Sequence, residues 1–64
     1  MPVVHIYMYE GRSTQQKREL VKRISKDFEE VVDVKPESLN ILFHDMSKAD
    51  WGIRGTLGSD GPAT

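Results

Sequence analysis

A chain of 64 residues holds one domain at most, and at that length a single hydrophobic core is only marginally sufficient for stability. There is no cysteine to supply a disulfide or a thiolate metal site, and two histidines are few for a structural metal, so further copies of the chain are the expected source of burial. Nine Lys and Arg against ten Asp and Glu leave a formal charge of −1 and no global field for a polyanion, which argues against nucleic acid and acidic membrane surfaces as partners.

Val3 to Tyr9 reads Val-Val-His-Ile-Tyr-Met-Tyr, rich in β-branched and aromatic residues, and predicts a strand with Val4, Ile6 and Met8 on one face. The other face carries Val3, His5, Tyr7 and Tyr9, too apolar to stay fully wet, so partial cover by another subunit is expected. Glu10-Gly11-Arg12 closes the strand. Ser13 followed by Gln16 is a capping box, and the spacing predicts a helix from about Thr14 to Val32. Its apolar positions Leu20, Val21, Ile24, Phe28, Val31 and Val32 form one stripe meant for burial. Lys17 and Arg18 in the first turn and Glu29, Glu30 and Asp33 near the last oppose the helix dipole, so packing must stabilise this helix.

Pro36 ends the helical segment, and a second strand is expected over Leu39 to His44, with Leu39, Ile41 and Phe43 alternating against Asn40, Leu42 and His44. Strand, long helix and strand make a crossover unit with parallel strands, which is too little to stand alone. Residues 45–50 are polar and turn-prone. Trp51 to Leu57 alternates bulky residues with glycine and suits a short hairpin or an arm lying across a neighbour, and residues 58–64 have the composition of a flexible tail. The chain is one domain, 1–64, without repeat or linker. No apolar run approaches the roughly 20 residues that span a bilayer, and no basic segment followed by an apolar one opens the chain, so a cytoplasmic location is expected.

The chemical inventory is short. Gly11-Arg12-Ser13 lies at a strand-to-helix corner, where free amides and a guanidinium bind a carboxylate or phosphate; an ordinary helix cap with a solvent-exposed arginine has the same pattern. His5 and His44, on separate strands beside Asp45, are better read as surface or half-buried histidines than as metal ligands, and no metal is expected. Pro2 follows Met1 directly. Removal of Met1 leaves Pro2 with a free secondary amine, a base that titrates at about 7.7–8.0 when unperturbed and lower in an apolar, cation-rich pocket; the alternative is a proline that merely stiffens the terminus.

The run from Pro2 to Ser13, with Ile6 and Glu10-Gly11-Arg12-Ser13, resembles the 4-oxalocrotonate tautomerase family. The resemblance covers the chain apart from its tail, since Gln16-Lys17, Met46, Lys48 and Trp51-Gly52-Ile53 also fall where that family has matching or similar residues. It implies an α+β fold: a β-α-β protomer with parallel strands and a short C-terminal hairpin, paired into dimers with a shared four-stranded sheet, three dimers forming a hexamer. It implies a cofactor-independent isomerase in which Pro2 is the general base, moving a proton between oxygen and carbon of a 2-hydroxydienoate to give the conjugated 2-oxo acid. Arg12 corresponds to an arginine that binds a substrate carboxylate from an adjacent subunit, and Trp51 to an aromatic residue that walls the proline. One position departs from the pattern. Asn40 stands where the family member acting on the dicarboxylate has a second arginine, and an amide cannot replace a bidentate guanidinium–carboxylate pair. Arg54, near the expected pocket rim, is the candidate to take over that role, against a solvent-exposed or subunit-bridging arginine. The competing reading for the whole chain is a catalytically silent oligomer that keeps the scaffold and binds a small carboxylate at Arg12.

Overall fold

The computed structural model describes residues 1–61. Strand β1 (Val3–Tyr9) leads through a corner at Gly11, whose φ of 118° suits a residue without Cβ, into helix α1 (Thr14–Val32). Ser13 caps the helix as expected: its hydroxyl accepts from the Gln16 N–H at 3.1 Å, and the Gln16 side chain accepts from the Ser13 N–H at 2.9 Å. At the other end Asp33 adopts the left-handed conformation, φ 57°, and the Val34 N–H reaches back to the Phe28 carbonyl at 3.2 Å, which turns the chain out of the helix.

Strand β2 (Asn40–Met46) pairs parallel with β1 in register from Val3 opposite Asn40 to Tyr9 opposite Met46. It is displaced from the expected span at both ends. Leu39 closes a 3-10 turn over Pro36–Ser38, its N–H spent on the Pro36 carbonyl, so the ladder begins at Asn40. Asp45 and Met46, expected in a turn, stay in the strand because Lys17 pairs with the Asp45 carboxylate and the Met46 carbonyl accepts from the Glu10 N–H. A second 3-10 turn at Lys48–Asp50 leads to the hairpin of β3 (Gly52–Ile53) and β4 (Thr56–Leu57), joined through Arg54 and Gly55, both at positive φ. Of the segment expected as a tail, Gly58, Ser59 and Asp60 donate backbone hydrogen bonds to Trp51, Lys48 and Leu57; residues 62–64 lie outside the described residues.

The helix covers the sheet face of Val4, Ile6, Met8, Ile41 and Phe43. Leu20, Val21, Ile24 and Phe28 face it half-buried, and the Lys17 ammonium lies 5.6 Å from the Phe43 ring centre. The stripe is shorter than its periodicity predicts: Val31 is 81% and Val32 57% exposed, since the last helical turn runs beyond the strands that cover the rest. No described residue is fully buried. The second sheet face is open, with Val3 and Tyr7 about half exposed and Leu42 beside them. The radius of gyration is 14.9 Å, against about 11 Å for a compact domain of this length. Among the described residues, no helix is long and apolar enough to cross a membrane.

Candidate active site

The candidate residues divide between the two ends of the β1–β2 pair. Pro2 and Asn40 meet at one end, where the Pro2 carbonyl accepts from the Asn40 N–H at 3.1 Å. Arg12 and Trp51 belong to the other: Arg12 lies in the loop after β1, and Trp51 sits against Tyr9, the last residue of β1, with ring centres 5.0 Å apart and planes at 65°. The seven-residue strand between Pro2 and Arg12 spans about 20 Å. One chain therefore cannot bring a base at Pro2 and a cation at Arg12 to a single small substrate.

Arg54 occupies a third position, at the tip of the β3–β4 hairpin with φ 56°. The concave side of that hairpin, about 340 Å³, is lined by Gly52 to Leu57 and includes Arg54 but none of Pro2, Arg12 or Trp51.

Electrostatics single out two of the four arginines. Arg18 donates to Gln15 and Arg23 pairs with Glu19 one helical turn away. Among the described residues, Arg12 and Arg54 have neither a hydrogen bond nor an ion pair from the side chain, so both guanidinium groups are available to an anion. The capping box consumes the Ser13 and Gln16 amides at the corner, which leaves anion binding there mainly to Arg12 and the intervening N–H groups of the first turn.

Other contacts escape a reading by periodicity because they join residues far apart in the chain. His5 Nδ1 and His44 Nε2 are 2.8 Å apart on the open sheet face, and Tyr7 stacks on the His44 ring at 4.2 Å. Among the described residues, no group of three or more His, Asp and Glu side chains converges in a way that could hold a metal ion. Tyr9, Lys48, Trp51 and Gly58 pack together where the hairpin meets the end of β1.

Fold and sequence place the molecule in a known class. The profile of tautomerase enzymes matches residues 2–61. A probable tautomerase of Halalkalibacterium halodurans is 37% identical over 60 residues, covering 94% of this chain and 98% of that protein. The 2-hydroxymuconate tautomerase of Comamonas testosteroni is 36% identical over 55 residues, covering 86% and 87%. Among solved structures, the heterohexamer 4-oxalocrotonate tautomerase of Chloroflexus aurantiacus superposes with a TM-score of 0.84 at 28% identity, covering 94% and 97%. The chain belongs to the tautomerase family, in its 4-oxalocrotonate tautomerase branch, and is an isomerase. That membership favours the isomerase over the silent carboxylate binder.

Proposed function

We propose that Met1 is removed and that Pro2 of one chain and Arg12 of a neighbouring chain form one active site for the tautomerisation of a 2-hydroxydienoate. The separation of Pro2 from Arg12 along β1 carries this reading, because pairing two chains with their sheets antiparallel sets the Pro2 end of one beside the Arg12 end of the other. The need for partners is independent of the chemistry. The chain exposes 5176 Å², about 1,000 Å² more than a compact monomer of its mass. An ordinary interface covers about 800 Å² per partner. The assembly is a homo-oligomer built from such dimers, a hexamer in the form the family resemblance implies.

In the reaction, the secondary amine of Pro2 in its neutral form takes the enol proton and returns a proton at carbon. Arg12 binds the substrate carboxylate, orients it and stabilises negative charge that develops on the conjugated oxygen system. Trp51 supplies an apolar wall that disfavours the charged amine and excludes water. With Met1 attached the Pro2 nitrogen is an amide and has no basic lone pair, so processing is a requirement of the mechanism. No step calls for a metal or an organic cofactor. Asn40, beside Pro2, offers a substrate oxygen a neutral donor where a dicarboxylate would want a cation, which favours a monoacid or a substrate whose second carboxylate is met by Arg54.

Subunit complementation tests the shared site. Chains carrying Pro2→Ala and chains carrying Arg12→Ala, unfolded together and reassembled, should recover activity well above either variant alone. With two-fold pairing and random mixing, about a quarter of the sites hold an intact Pro2 and an intact Arg12. No recovery in a mixture shown by mass to contain hybrid oligomers would place both residues in one chain's site and overturn the proposal. For the substrate, similar kcat/KM for a diacid and its monoacid analogue supports the weaker second anchor, and a large preference for the diacid that survives Arg54→Ala contradicts it.

A further inference from the structure

We infer that Tyr9 is a positioning residue for Trp51, held in place by a clearance that only glycine at position 58 provides. This rests on the wall role proposed for Trp51. Three neighbours fix the Tyr9 ring. The indole of Trp51 meets it edge-on at 5.0 Å between centres, the Lys48 ammonium stands 5.6 Å from its centre, and the backbone of Gly58 passes its hydroxyl end. A Cβ at position 58 would lie 2.6 Å from the Tyr9 hydroxyl oxygen, closer than side-chain carbons approach such an atom, and at a tight 3.2 Å from its ring carbon and 3.1 Å from the Lys48 carbonyl, so the Tyr9 ring would have to shift. The Gly58 N–H in turn donates to the Trp51 carbonyl at 2.7 Å.

These contacts close a loop: Trp51 holds Gly58 by its backbone, Gly58 limits Tyr9, and Tyr9 sets the edge against which the indole rests. The loop has a consequence for the site because Tyr9 is the last residue of β1, three positions before Arg12. A wall and a cation that act on one substrate must keep their relative placement to within about 0.5 Å. Anchoring the indole to the strand end that carries the Arg12 loop ties the two to one rigid element, whereas the hairpin bearing Trp51 is otherwise joined to the sheet through a short 3-10 turn.

The chain has a single tryptophan, so fluorescence excited at wavelengths beyond tyrosine absorption reports the indole alone. In the assembled enzyme, Tyr9→Ala should shift the emission to longer wavelength and move the acidic limb of the kcat/KM profile to higher pH, in the direction of Trp51→Ala. Tyr9→Phe, which keeps the ring, should restore both. Gly58→Ala should shift both in the same sense as Tyr9→Ala, and in a Tyr9→Leu background, where the hydroxyl end is gone, the added methyl should have a much smaller effect. Unchanged emission in Tyr9→Ala, or in Gly58→Ala if Tyr9→Ala does not assemble, overturns the positioning role. An acidic limb unmoved in Trp51→Ala itself refutes the wall, a different failure, and the emission then still decides whether Tyr9 holds the indole.

Discussion

At the scale of single residues, each proposed role has its own kinetic signature. Pro2→Ala in a processed chain leaves a primary amine in place of the ring amine, so a loss of about 10²–10⁴-fold in kcat, with a small residual rate, is expected from steady-state assay. Arg12→Ala should lower kcat/KM for carboxylate substrates by about 10²-fold, read as raised KM together with reduced turnover, and should spare a neutral enol. Trp51→Ala removes apolar surface that disfavours the protonated amine. The amine then holds its proton to higher pH, the acidic limb rises toward about 7.7–8.0, and activity falls below that limb while the plateau above it is less affected. An acidic limb that stays in place would contradict the wall. Arg54 makes a more discriminating case, since its φ of 56° is costly for an arginine and ordinary for an asparagine. Arg54→Asn should stabilise the hairpin by about 1 kcal/mol in urea unfolding while weakening any substrate that uses the second anchor. A loss of stability would identify a structural arginine, and substrate binding unchanged in Arg54→Asn would contradict the anchor.

At the scale of elements, the helix was the most legible part of the sequence. Ser13, Gln16 and the stripe from Leu20 to Phe28 are local signals, and the helix spans Thr14–Val32 as expected. Where the reading failed, the deciding contact was distant. Asp45 looks like a turn residue until Lys17, 28 positions earlier, neutralises it within the strand. Val31 and Val32 fit the helical period, but a period carries no information about where the sheet beneath the helix ends. Leu39 alternates correctly with Ile41 and Phe43 and is half-buried, yet the turn begun by Pro36 uses its N–H. For the site, Pro2 and Arg12 gained their meaning from the family pattern, because spacing alone left a stiff terminus and a plain helix cap standing beside them. The contact of Tyr9 with Gly58 has no signature in either. One element-level test concerns the helix end: Asp33→Gly removes the left-handed strain of a residue with a Cβ and an acidic charge from the C-terminus, and should raise stability by about 1 kcal/mol in urea unfolding. Destabilisation would mean that the exposed contact of Asp33 with Lys35 matters more than such pairs ordinarily do.

At the scale of the whole molecule, a protomer in which no described residue is buried and one apolar sheet face lies open is incomplete on its own. Stability and activity should therefore fall together on dilution, with sedimentation showing dissociation over the same concentration range. The open face also contains the His5–His44 pair, stacked with Tyr7, while Asp45 points to the opposite face and is taken by Lys17. If subunits cover this face, His44→Phe, which removes the contact between the rings, should change the concentration at which the assembly dissociates. Dissociation identical in His44→Phe and the parent chain would take this pair out of the interface.

The central claim is that the amine of Pro2 is the working base. Intact mass of the purified protein, measured alongside the ultraviolet assay of a 2-hydroxydienoate before and after selective blocking of the terminal amine, tests it most directly. The mechanism predicts a mass lacking Met1 and conversion that disappears in proportion to the blocked amine. Full conversion by a chain that retains Met1, or by a chain whose terminal amine is quantitatively blocked, would contradict it.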